Sequence, residues 1–142
     1  MPRIALLSTS DTDLLSARAS GADWIHANPT RGLPPAVAEA DLVVARVLGT
    51  ADDVRELVLP HVGERPLVVL GGELTPSAEL MEVSTVPIGV AAEAHRYLVE
   101  GGPANLAQLH AFLSDTVLLT GEGFEPPVAV PAWGWADRPR PD

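Results

Sequence analysis

The sequence of 142 residues contains no cysteine and no lysine. The absence of cysteine excludes disulfides, thiolate metal sites and cysteine nucleophiles. All nine basic residues are arginines, and alanine, glycine, valine and proline are abundant. These residues have GC-rich codons, so the composition indicates a bacterial source with a GC-rich genome.

Long hydrophobic runs are also missing. The longest apolar stretches, such as Ile4 to Leu7 and Leu42 to Ala45, are far shorter than the roughly 20 residues that a membrane-spanning helix needs. Only four apolar residues follow Arg3 before the polar residues begin, which is too few for a signal peptide. We therefore expect a cytoplasmic protein that does not cross a membrane.

Positive charge is scarce. Nineteen acidic residues against nine basic ones give a net charge of -10, and the resulting field repels phosphate backbones and anionic lipids. The composition therefore argues against nucleic acid and membrane surfaces as partners.

The length of the chain allows one sizeable core, because 46% of its residues are hydrophobic and nothing requires a second domain. The character of the sequence changes after Gly121, where prolines and two tryptophans replace the helical pattern. We predict one α/β domain over residues 1–120, followed by an extended tail or interdomain linker over residues 121–142.

Short aliphatic runs alternate with helical patterns along the predicted domain. We predict strands at residues 3–7, 23–27, 42–48 and 66–70, and a short edge strand at 85–88. We predict helices at residues 11–19, 34–39, 52–62 with a break around Pro60, from 75, at 89–100 and from 103 to about 119. This alternation favours an open, mostly parallel sheet flanked by helices, with Rossmann-like or flavodoxin-like winding.

Ligands of such sheets bind at the carboxyl ends of the strands, and polar residues occur there in this sequence. A candidate ligand pocket uses six of them: Ser8, Thr9, Arg46, Gly71, Gly72 and Glu73. Arg46 is the most informative, because a guanidinium within an aliphatic strand must find a carboxylate or reach a crevice. The alternative to a pocket is a structural ion pair between Arg46 and either Glu73 or Asp11.

Motifs for catalysis and cofactor binding are absent. The sequence has no G-x-G-x-x-G, no phosphate-binding loop ending in G-K-[ST], and no glycine-flanked nucleophilic serine. The histidines do not fall in a metal-binding spacing, although His95 and His110 leave a shared metal open as an alternative to ordinary structural roles. Trp133 and Trp135 suit either an interdomain contact or packing onto this domain.

Seven segments resemble one protein family. They are Leu7–Arg18 (LSTSDTDLLSAR), Gly71–Glu73 (GGE), Ala78–Glu82 (AELME), Ser84–Pro87 (STVP), Gly89–His95 (GVAAEAH), Glu100–Leu106 (EGGPANL) and Leu118–Pro127 (LLTGEGFEPP). The chain is similar, from about Ile4 to Trp135, to the N-terminal part of the CobN and magnesium chelatase H subunit family. The match is closest over residues 71–127 and loosest over residues 27–65.

The resemblance implies a role in the large subunit of an aerobic cobaltochelatase. Such a subunit binds a corrin macrocycle while AAA+ motor subunits use ATP to help insert cobalt during cobalamin biosynthesis. Family members are many times longer, so the resemblance implies a head domain or fragment without its own catalytic residues, cofactor or metal. Its expected partners are the remainder of the large subunit and the motor subunits.

Two hypotheses of different kinds therefore stand beside each other. The first is a non-catalytic head domain of the chelatase subunit with a structural or gating role. The second is a stand-alone, flavodoxin-like domain that binds a small ligand at the strand ends. An open pocket at Arg46 favours the second hypothesis, and a closed ion pair favours the first.

Overall fold

A computed structural model describes residues 3–48, 50–71, 78–121 and 123–128. Within these residues, the centre is a sheet of four parallel strands. The strands are β1 (Ile4–Ser8), β2 (Trp24–Ala27), β3 (Leu42–Val47) and β4 (Leu67–Gly71). Their order in the sheet is β2-β1-β3-β4, which matches the first four strands of flavodoxin-like winding rather than the Rossmann order. The predicted α/β class is confirmed.

Five α-helices in the described ranges connect and cover the strands. They are α1 (Asp11–Ala19), α2 (Ala51–Leu57), α3 (described as Ala78–Met81), α4 (Ile88–Glu100) and α5 (Gly102–Thr116). Strands β1, β3 and β4 are buried on both faces, so their residues alternate between two hydrophobic clusters, whereas the second half of β2 is more exposed. In β1, Ile4 and Leu6 pack in one cluster with α4 and α5, whereas Ala5 and Leu7 pack in the other with α2. The near-continuous aliphatic runs of the sequence reflect this burial on both sides.

Two of the predicted helical segments contain 3-10 turns. In the segment at 52–62 the predicted break around Pro60 is confirmed: α2 ends at Leu57, and a 3-10 turn at Leu59–His61 follows it. Pro60 lies in that turn and lacks the N–H that would continue the α-helix. The segment predicted at 34–39 is likewise a 3-10 turn, Pro35–Glu39.

The edge strand predicted at residues 85–88 is wrong. This segment does lie beside β4, but it binds the strand mainly through side chains. Thr85 accepts at its Oγ1 from the Leu67 N–H at 2.8 Å, and Ser84 accepts at its Oγ from the Val69 N–H at 2.7 Å. Ile88 already begins α4. The sequence pattern of short hydroxyl and β-branched residues does not distinguish a strand from hydroxyls that cap a strand edge.

The end of α5 contains a strained residue. Leu119 has φ of 58° and is 80% exposed, although this left-handed conformation after a helix is normally taken by glycine. Around it, the N–H of Thr120 donates to the Ser114 carbonyl at 3.0 Å, which closes the helix end. The cost of the conformation for a leucine is about 1 kcal/mol or more.

We predict that Leu119→Gly raises the free energy of unfolding by about 0.5–1 kcal/mol, because it removes this strain and exposes less apolar surface. Chemical denaturation measures the change. The matched control is Leu15→Gly, an exposed leucine within α1, where glycine should instead lower stability by about 1 kcal/mol. Equal signs for the two variants would contradict the assignment of strain to Leu119.

Candidate functional site

The carboxyl ends of β1 and β3 meet at the centre of the sheet. These strands are neighbours, and Ser8 lies opposite Arg46 in their register. The chain leaves β1 toward β2 on one side and leaves β3 toward β4 on the other, so this is the topological switch point where flavodoxin-like proteins bind ligands. Residues of the predicted pocket therefore lie at this point of the fold.

Arg46 forms a buried ion pair with Asp13 at this point. The Nη1 atom of Arg46 lies 3.0 Å from Oδ1 and 3.1 Å from Oδ2 of Asp13. The two residues are 7% and 5% exposed. Because an unpaired charge at such burial would be costly, each residue offsets much of the cost of burying the other.

The same carboxylate connects to the start of α1. Ser8 donates from its Oγ to Asp13 Oδ2 at 2.9 Å, and the Ser10 N–H donates to Ser8 Oγ at 3.0 Å. Ser10 caps the helix by accepting from the Asp13 N–H at 3.3 Å. The spacing of Ser10 and Asp13 is that of a capping box, but the Asp13 side chain turns to Arg46 and Ser8 instead of back to the Ser10 N–H.

Arg46 also binds two main-chain carbonyls. Its Nε donates to the Gly71 carbonyl at the end of β4, at 3.2 Å, and its Nη1 donates to the Leu98 carbonyl at 3.3 Å. Leu98 is in the last turn of α4, where the helix dipole favours a positive charge. One guanidinium thus joins β3, β4, α1 and α4.

Thr9 completes the arrangement. It accepts at Oγ1 from the Leu48 N–H at 3.0 Å, and its own N–H donates to the Arg46 carbonyl at 3.2 Å. Four of the six predicted pocket residues, Ser8, Thr9, Arg46 and Gly71, therefore lie together and bind protein groups. The other two, Gly72 and Glu73, lie outside the described residues, as do Trp133 and Trp135.

The predicted ion pair is present with a different partner. Asp11 does not reach Arg46; its exposed carboxylate lies 3.4 Å from Arg31. Asp11 and Asp13 are two positions apart on a helix, so they face nearly opposite directions. Asp13 faces the strand ends, and its position was the signal that sequence reasoning missed.

The described residues of this cluster bind one another and main-chain groups. Asp13 is held by a cation and a hydroxyl, and both hydroxyls of the predicted pocket accept main-chain N–H groups. Over the part of the chain that the structure describes, no three His, Cys, Asp or Glu residues are grouped to hold a metal ion. His110 instead lies 3.3 Å from the Asp23 carbonyl and edge-on to Trp24.

None of the described helices is long and apolar enough to cross a membrane.

Comparison with solved structures shows which protein this chain is similar to. The chain is similar to the catalytic subunit of cobaltochelatase from Mycobacterium tuberculosis, with 50% sequence identity over 94% of this chain and a TM-score of 0.87. The family resemblance predicted from the sequence is confirmed. The chain spans 12% of the length of that subunit. No protein-family model and no curated protein matches the sequence.

The likeness bears on the two hypotheses drawn from the sequence. The domain is similar to one part of a cobaltochelatase subunit, and its flavodoxin-like switch point is occupied by an internal ion pair. The closed pair favours the chelatase domain over a stand-alone ligand-binding domain.

Proposed function

We propose that this domain is the non-catalytic head domain of the large, corrin-binding subunit of an ATP-dependent cobaltochelatase. It would support insertion of cobalt into a corrin precursor in cobalamin biosynthesis, in the cytoplasm, with the rest of the subunit and AAA+ motor subunits as partners. The observation that supports this proposal is the 50% identity over 94% of the chain to the cobaltochelatase catalytic subunit.

A structural or gating role fits the cluster at the switch point. Ser8, Asp13 and Arg46 bind one another and the ends of neighbouring elements, so they hold the domain together rather than present groups to a substrate. The net charge of -10 offers no long-range attraction to a corrin precursor, which is itself a polycarboxylate. The substrate site and the metal-insertion chemistry belong, in this proposal, to other parts of the subunit.

Fluorescence titration with a descobalto-corrin precursor tests the proposal. We expect the full-length subunit to bind the precursor saturably and the 142-residue chain not to bind it, at either of two salt concentrations. Saturable binding by the short chain would place part of the substrate site here and overturn the non-catalytic assignment. A full-length subunit that neither binds the precursor nor supports cobalt insertion with its motor subunits would overturn the chelatase assignment.

A further inference from the structure

Residues 123–128, here called the strap, follow α5 and lie across the α4–α5 pair. The strap has no helical or strand structure of its own. At its beginning the Phe124 ring packs edge-on against Phe112 of α5, with ring centroids 5.0 Å apart. At its end Val128 contacts Asn105 near the start of α5. The strap therefore runs antiparallel to α5.

Asn105 binds the strap as a neighbouring β-strand would. Its Nδ2 donates to the Val128 carbonyl at 2.7 Å, and its Oδ1 accepts from the Val128 N–H at 2.9 Å. The same Nδ2 donates to the Gly101 carbonyl at 2.7 Å, which fixes the amide orientation. Asn105 is buried, so this amide is preorganised for one main-chain unit.

Glu125 is held in the same way from two helices. Its N–H donates to Gln108 Oε1 at 2.7 Å, and its carbonyl accepts from the Tyr97 hydroxyl. The four hydrogen bonds from Asn105, Gln108 and Tyr97 all end on strap main chain. Recognition of this kind suits any extended segment with an aromatic residue at the Phe124 position.

The strap itself contributes little to the core. Phe124 is 42% exposed and Val128 is 64% exposed, whereas the leucines of α5 beneath them are fully buried. Positive φ angles occur at Leu119 and Gly121, between α5 and the strap, and at Gly123, the first residue of the strap; they are 58°, 74° and 76°. Glycines allow large backbone changes, so the chain can bend at Gly121 and Gly123.

We propose that the α4–α5 face is a binding groove for an extended segment, that the strap is its intramolecular ligand, and that the strap leaves the groove while the domain stays folded. A region with exposed side chains and few buried apolar contacts opens more readily than a core strand, although three of the four hydrogen bonds that hold the strap are partly buried. Opening would free Asn105, Gln108 and Tyr97 and change where the chain leaves the domain. Such opening is a property of the domain alone and goes beyond its proposed function.

Hydrogen exchange in the full 142-residue chain tests the proposal. We expect the amides of Glu125 and Val128 to exchange more slowly than in an unstructured peptide but much faster than the amides of β3. Asn105→Ala should speed exchange of the Val128 amide by about 10- to 30-fold, since two hydrogen bonds to Val128 are lost. Asn28→Ala, which removes an asparagine from an exposed turn, should leave the strap unchanged.

A second, milder variant tests the proposal even if Asn105→Ala does not fold. Gln108→Ala removes only the bond to the Glu125 N–H and should speed exchange of that amide about 5-fold, with β3 unaffected. The proposal is overturned if strap and β3 amides exchange at one common rate, or if the strap amides show no protection. Strap exchange that depends on protein concentration would also overturn it, because the ligand would then come from a second copy.

Discussion

Asp13→Ala should lower the free energy of unfolding by about 3–5 kcal/mol, because it leaves the guanidinium of Arg46 buried without its carboxylate. The substitution also removes the acceptor of the Ser8 hydroxyl. Since small domains have total stabilities of about 5–15 kcal/mol, a loss of this size is a large fraction of the total. Urea denaturation followed by circular dichroism measures the loss.

Asp11→Ala is the matched control. Both aspartates lie in the first turn of α1, where the helix dipole stabilises negative charge. Asp11, however, pairs with Arg31 at the surface. Its removal should cost less than about 1 kcal/mol. A loss at Asp13 no larger than that at Asp11 would show that the buried pair does not stabilise the strand ends.

The double variant Asp13→Leu with Arg46→Met separates the cost of leaving Arg46 unpaired from the net contribution of the ion pair. It removes both charges at once, and buried ion pairs replaced by apolar residues of similar size are often neutral in stability. We expect it to recover most of the stability that Asp13→Ala loses. With the single variants Asp13→Leu and Arg46→Met, it completes a double-mutant cycle that measures the coupling energy of the two residues.

Tyr97 should make the domain unusually sensitive to strong alkali. Burial of its ring raises its pKa to about 12, and the nearby Glu93 carboxylate adds to the increase. In the unfolded chain the Tyr97 hydroxyl ionises from about pH 10, so between pH 10 and 12 only the unfolded state loses this proton. The stability that this proton contributes is therefore fully present below pH 10 and falls by about 1–3 kcal/mol as the pH rises to 12.

The sequence makes this effect easy to assign. Tyr97 is the only tyrosine, and the chain has no lysine or cysteine, so no other side-chain type has its ordinary pKa in that range. Tyrosinate absorbance should show one transition near pH 12 in the folded chain. Tyr97→Phe should remove most of the stability loss between pH 10 and 12. A transition near pH 10 in the folded protein would contradict burial of the hydroxyl.

The sequence was sufficient to predict the strands and the class of the fold. The runs at residues 42–48 and 66–70 are aliphatic because β3 and β4 are buried on both faces, and short continuous aliphatic runs are typical of such strands. Residues 85–88 were harder, because hydroxyl side chains that bind a strand edge look like strand residues. The end of α2 could be predicted from Pro60, because a proline interrupts a helix through its own missing N–H. The 3-10 turn that follows α2 is set by packing.

The site was predictable in kind but not in detail. An arginine within an aliphatic strand requires a partner, and Arg46 has one. Choosing among Asp11, Asp13 and Glu73 requires the rotation of α1 about its axis, which depends on how Leu14 and Ala17 pack. The prediction of an interdomain contact at Trp133 and Trp135 stays a prediction, as does the domain boundary at residue 120.

The binding of Ser84 and Thr85 to β4 has a consequence for assembly. Exposed strand edges are templates on which sheets of different molecules join, and proteins avoid this by covering or interrupting them. Here two hydroxyls already bind the N–H groups of Leu67 and Val69, so an incoming strand would have to displace both before it could pair. On the β4 side, these two side chains and the Thr85 N–H, which donates to the Leu67 carbonyl at 2.8 Å, protect the sheet against edge-to-edge aggregation.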